Sequence, residues 1–159
     1  MKISLSWLDD FLATGLDTPA LDDTLTATGL KVEAIESAGV SIQNLVVAKI
    51  LESLPHPDAD RLSVCQVDDG SGSPRQIVCG AKNYKVGDKI PLALPGAVLP
   101  GNFKIKPGKL RGIKSEGMMC SGKEIGLGAD SAGLLILPPD SPIGHPISEL
   151  FPSETVIEL

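Results

Sequence analysis

Between Gly101 and Glu124 the chain carries six Lys and Arg against two Glu. The cations are Lys104, Lys106, Lys109, Arg111, Lys114 and Lys123, and glycines stand among them at 108, 112, 117 and 122. Glycine leaves backbone N–H groups open and lets a phosphate approach closely. The mixture points to anion binding of the kind a nucleic-acid backbone offers. Lys109, Arg111 and Lys114 fall near a period of two, which directs them to one face if the segment is a strand. A solvated lysine face is the competing interpretation.

A second distinctive run is His56-Pro57-Asp58-Ala59-Asp60-Arg61-Leu62. As a metal ligand His56 needs partners, and the only other histidine is His145. As a turn residue it needs none: Asp58 and Asp60 can bond their own backbone, and proline fixes a dihedral. The turn is the preferred reading, and no metal site is expected. Cys65, Cys79 and Cys120 are odd in number, far apart and outside any CxxC, so reduced thiols are expected. No paired carboxylates, nucleophile elbow, phosphate loop or dinucleotide fingerprint is present, so no catalytic residue is assigned. Glu116 reads as a structural acceptor, and Met118 and Met119 as core. Tyr84 and Phe103 are the only aromatic residues between 40 and 148. That is sparse for a general single-strand binder, and favours recognition of the shape and backbone of folded RNA.

The elements that must position these residues change character near Val40. Beyond it, short segments rich in Val, Ile and Leu alternate with Gly, Pro, Asp and Asn: Leu45–Leu54, Leu62–Val67, Gln76–Cys79, Lys89–Leu94, Gly117–Cys120 and Leu134–Leu137. Regular short strands with polar turns indicate a small barrel or sandwich, and Asp69-Gly70 marks a hairpin turn. Before Val40 the spacing indicates a strand at 2–5 and a helix capped by Ser6 with Trp7, Leu8, Phe11 and Leu12 on one face. A second helix follows, started by Thr18-Pro19, and then a strand at Leu30–Ile35. So small a set cannot bury much surface alone, and needs a partner. Pro146–Phe151 reads as one helical turn and Glu154–Leu159 as a strand cut short.

The 159 residues carry a net charge of −6, which on its face disfavours nucleic acid. Its distribution reverses the inference. Residues 40–148 hold 12 Lys and Arg against 10 Asp and Glu, whereas the two flanks together hold 2 against 10. Local basicity marks a binding surface that total charge conceals. No apolar run approaches the roughly 20 residues of a membrane span. The opening lacks the features of a secretory signal, so no membrane partner and a cytoplasmic location are expected.

The runs HPDADRL, VDDG, QIVCGAKN and KLRGIKSEGMMCSGKEIGL closely resemble the tRNA-binding OB module. That module occurs in free-standing tRNA-binding proteins, in some methionyl-tRNA synthetases and in the bacterial-type phenylalanyl-tRNA synthetase β subunit. The openings MKISLSWLDDFLA and LTATGLKVEAIES resemble the start of that β subunit. The resemblance implies a mainly β fold, an OB-fold five-stranded barrel with a small N-terminal α/β segment from a split flanking domain. The implied boundaries are 1–39 for the first half of the split domain, 40–148 for the barrel and 149–159 for the truncated start of the returning half. It implies tRNA as partner, with Lys109, Arg111, Lys114, Ser115 and Met118 as contacts and Arg61 and Asn83 as secondary ones. At Arg61 the family often has Lys, and Arg offers a planar fork where Lys is a point charge. It further implies an ATP- and Mg²⁺-dependent phenylalanine–tRNA ligase of two α and two β chains whose α subunit is catalytic. This part would then have no cofactor and no DNA ligand. A stand-alone tRNA-binding chaperone and a protein–protein docking module are the alternatives.

Overall fold

The computed structural model describes residues 1–128 and 132–159 and is mainly β. In chain order the elements are β1 (Lys2–Ser4), α1 (Leu5–Phe11), α2 (Thr18–Ala27), β2 (Ala34–Ala38), β3 (Leu45–His56), β4 (Ala59–Asp68) and β5 (Arg75–Cys79). There follow β6 (Lys89–Ala93), β7 (Val98–Leu99), β8 (Phe103–Lys104), β9 (Gly108–Leu110), β10 (Ile113–Ser115), β11 (Met118–Met119), α3 (Ile147–Leu150) and β12 (Glu154–Glu158). The chain divides into two units, Met1–Gly39 with Pro152–Leu159, and Val40–Phe151.

The first unit is a three-stranded antiparallel sheet, β1-β12-β2, with α1 and α2. Ser4 caps α1, accepting from the Trp7 N–H at 3.1 Å, in place of Ser6. Ser6 instead donates to Glu154. Asp17 caps α2 through Ala20 N–H at 2.9 Å, in place of Thr18. The strand expected at 30–35 begins at Ala34 because pairing to β12, Ile35 opposite Ile157, fixes its register. Only Leu21 and Ile157 of this unit are buried apolar residues, while Trp7, Phe11 and Leu12 stand exposed. The small core expected of these elements is what forms.

The second unit is built on a five-stranded antiparallel sheet of order β11-β6-β3-β4-β5. β3 serves both halves: Leu45–Lys49 pairs with β6, and Lys49–His56 pairs mainly with β4. Irregularities between Ile50 and Glu52 and between Pro55 and His56 let it bend. The sheet's two edges meet where Glu116 N–H donates to Gln76 O at 2.9 Å and Val78 N–H donates to Ser115 Oγ at 3.1 Å. The order and closure are those of an OB-type barrel. Its interior holds Val47, Leu99, Ile105, Ile125 and Ile147 in one cluster, and Ile50, Val67, Ile77, Ile90 and Leu92 in another.

Two expectations are corrected here. Leu134–Leu137 is not a strand; it makes a single bridge, Lys89 to Leu137. The Asn83 side chain occupies the Leu134 backbone, and Pro138 and Pro139 follow. Asp69-Gly70 is not a two-residue hairpin turn, since residues 69–74 form the loop between β4 and β5. Asp68 and Asp69 accept from the amides of Gly70 and Ser71 at 2.9 and 3.1 Å, which holds the longer loop in shape.

Asp69 also pairs with Arg75 at 2.8 Å, its side chain 2% exposed. Burial pushes its carboxyl up, but hydrogen bonds from Ser71 and the Arg75 guanidinium outweigh this and hold it below the usual carboxylate range. A depressed folded-state value means the ionised group stabilises the fold above the unfolded value of about 3.9. That contribution is lost as pH falls through the lowered value. Asp69→Ala is expected to cost about 2 kcal/mol at neutral pH. In urea melts across an acid series, the gap between variant and parent should close at the acid end.

Candidate nucleic-acid interface

β3 and β4 turn through Pro57 and Asp58, with His56 opposite Ala59. His56 is 5% exposed. Its Nδ1 accepts from the Asp58 N–H at 3.0 Å, so the ring proton lies on Nε2, which donates to Leu110 O at 2.9 Å. The histidine is the turn residue expected, and it does more than turn. It fastens the loop between the first two barrel strands to the hairpin that precedes the last. Those are the two loops that flank oligonucleotide sites in OB folds. Removing the ring leaves the Asp58 amide and the Leu110 carbonyl without this partner. His56→Ala should cost about 2 kcal/mol. Hydrogen exchange of amides 108–115 should rise more than that of β3 or β6.

The cationic run is a hairpin, not one strand. β9 and β10 pair, and Arg111-Gly112 forms the turn with φ of 51° and 83°. Positive φ at both central positions is the type I′ geometry that suits a two-residue hairpin. The period of two therefore does not align the cations. Cross-strand pairing does: Lys109 lies directly opposite Lys114, so the two share a face, and Arg111 sits at the tip. Like charges in that position repel. Glu116 relieves the repulsion by pairing with Lys114 at 2.8 Å. The same hydrogen bond and charge hold the Glu116 carboxyl below its ordinary value.

Arg61 and Arg111 line one shallow groove of about 520 Å³, together with Asp58 and Asp60. Lys109 and Met118 line a neighbouring one. Among the described residues no carboxylate pairs with Arg61, Lys109 or Arg111. These three are the free cations of the expected set.

The other expected contacts are placed differently. Ser115 is 6% exposed. Its hydroxyl accepts from Val78 N–H and donates to Gly117 O at 3.1 Å, so it is committed to barrel closure. The Asn83 amide donates to Leu134 O and accepts from Leu134 N–H, both at 2.9 Å. It clamps the backbone at Leu134, which lines a pocket shared with Leu110 and Met118. Met118 is half-buried against the core with one side on the groove. Lys104 and Lys106, counted in the cationic run but not among the implied contacts, share the groove with Lys109 and the exposed ring of Phe103. Their signal was the alternation of Lys104 and Lys106 about Ile105, which is buried.

Burial pushes the Cys120 thiol up to about 12 and raises that of Cys79, so both stay protonated. Among the described residues no three His, Cys, Asp or Glu converge as metal ligands. Among the described residues no helix is long and apolar enough to cross a membrane.

A closed five-stranded barrel of this strand order defines an OB-type fold, and on it Arg61, Lys109 and Arg111 lack a carboxylate partner among the described residues. The family is narrower: the chain belongs to the one described as "Putative tRNA binding domain", whose model matches residues 45–146. Likeness also extends past that module. The phenylalanine–tRNA ligase β subunit of Dechloromonas aromatica is 52% identical over 149 residues, 94% of this chain and 19% of the relative. That of Anaeromyxobacter dehalogenans is 49% identical over 160 residues, 99% of this chain and 20% of the relative. The chain thus spans about a fifth of the length of the curated relatives it matches. Among solved structures, the C-terminal domain of Plasmodium vivax p43 is 25% identical with a TM-score of 0.47. It covers 64% of this chain and 56% of that one.

Proposed function

We propose that this chain is the tRNA-binding part of a phenylalanine–tRNA ligase β subunit. In that reading it holds tRNA for aminoacylation carried out by the partner α subunit, in an assembly of two α and two β chains in the cytoplasm. The observation that carries the reading is the free, glycine-turned cationic hairpin of Lys109 and Arg111, latched by His56 beside Arg61. Lys114, Ser115, Met118 and Asn83 support it from behind: Lys114 through Glu116, Ser115 through closure, Met118 as floor and Asn83 as clamp. ATP and Mg²⁺ belong to the whole ligase, and no step through them is placed on this chain. The similarity to a ligase β subunit runs over 99% of the chain, beyond residues 45–146, which favours this reading over a stand-alone chaperone.

Binding should be weak and steeply salt-dependent. With about four phosphates neutralised, log K against log salt should fall with a slope on the order of −3. A tRNA titration over a salt series checks this. A flat salt response, or displacement of tRNA by an acidic protein that binds more tightly, would instead support the docking module.

A further inference from the structure

Beside the cationic hairpin lies a groove suited to something flatter than a phosphate. Val78, Ile105 and Met118 form its apolar floor, and Phe103 and Leu110 stand at its sides. Phe103 is 56% exposed and Leu110 47%. Burial offers no reason for either to be there. The other aromatic rings of this unit are committed elsewhere: Phe151 packs against the core, and the Tyr84 hydroxyl is bonded to Ser53 and Cys65 at 2.9 and 3.2 Å. Lys104, Lys106 and Lys109 rim the same groove. Among the described residues none of these three lysines pairs with a carboxylate. The groove measures about 390 Å³, at the small end of ligand sites of roughly 300–1,000 Å³.

We propose that this groove takes a single unpaired nucleotide of the bound RNA. Its base lies against the Phe103 ring and the apolar floor, and its phosphate is held by Lys104, Lys106 and Lys109. An aromatic face joined to uncompensated positive charge is the complement of a nucleotide, which joins a π-face to an anion. An acidic peptide matches the lysines but not the ring. One ring and one short groove suit one base, not a run. The site therefore adds a local single-strand contact to a surface that otherwise meets the backbone of folded RNA. The inference rests on the RNA-binding reading above and names which part of the RNA enters.

The test uses the whole 159-residue chain and two probes: a short single-stranded RNA carrying one 2-aminopurine, and a blunt RNA duplex. Binding of the single strand should quench the 2-aminopurine. Phe103→Ala should abolish the quench and weaken single-strand binding about tenfold, while duplex affinity stays within about twofold. Phe103→Trp should restore both quench and affinity. Lys109→Glu with Arg111→Glu should weaken both probes. A quench that survives Phe103→Ala, or an equal loss for both probes, overturns the groove and leaves RNA binding standing. So does a Phe103-dependent site that polyglutamate fills in place of RNA. If the unaltered chain binds neither probe at low salt, the RNA reading fails and the groove with it.

Discussion

Lys109→Glu combined with Arg111→Glu should lower affinity for tRNA by one to two orders of magnitude and make the salt slope shallower by roughly two. Both side chains are exposed, and both lack a carboxylate partner among the described residues. Their whole charge is thus available to a polyanion. Lys114→Glu should do less, because Glu116 already holds the Lys114 ammonium at 2.8 Å. Lys2→Glu and Lys31→Glu should leave tRNA affinity nearly unchanged, Lys2 being engaged by Glu36 and Glu158. Arg111 permits a sharper test. Its φ of 51° places an L-residue in the left-handed region, at a cost of roughly 1 kcal/mol. Strain retained at a single cation is a pointer to use. Arg111→Gly should therefore raise the urea midpoint while weakening tRNA binding. If stability and binding fall together, the hairpin needs Arg111 for its own structure, and the assignment of that cation to RNA fails.

The barrel was legible because β6 and the first half of β3 are largely buried and β4 alternates buried with half-buried positions, so apolar runs and alternation both survive in the sequence. Charge density likewise marked the candidate hairpin, since Lys109 and Arg111 need only to be exposed. What escaped was anything decided by contacts distant in sequence. Ser115 reads as a polar residue among cations, and only the approach of β5 shows its hydroxyl sealed against Val78. Asn83 reads as a loop amide, and only Leu134, 51 residues on, shows it spent. The latch from His56 to Leu110 spans 54 residues, and no local pattern encodes it. The hairpin itself was missed for a nearer reason. Arg-Gly is a weak hairpin signal compared with Asn-Gly, so alternation prevailed over the turn. Helix caps slipped by one or two positions because Ser4, Ser6, Asp17 and Thr18 are all competent caps, and tertiary pairing of Ser6 with Glu154 decides which one is free.

Three glycine-to-alanine changes around the cationic hairpin should separate closure of the barrel from flexibility of the loop. At Gly108 an added Cβ meets nothing within 4 Å and the backbone is not left-handed, so Gly108→Ala should be neutral, or stabilising by a few tenths of a kcal/mol. At Gly112 the space is equally open, but φ is +83°; Gly112→Ala should cost about 1 kcal/mol through backbone strain alone. Gly117 is different in kind. Its φ is +150°, and a Cβ there would lie 2.6 Å from the Ala93 carbonyl oxygen and 3.3 Å from Ile77. The Ala93 carbonyl cannot yield, because Ala93 pairs in register with both Met118 and Leu45, so it is held from two sides. Strain and overpacking together should make Gly117→Ala cost roughly 3 kcal/mol or more. Because Met118 would leave β6, the groove floor should go with it. Urea melts of the three variants give the order directly. A Gly117→Ala protein as stable as Gly112→Ala would mean that the edge from Ser115 to Met118 does not close against β5 and β6 as described. The hairpin would then lack the rigid base on which its use as a binding surface depends.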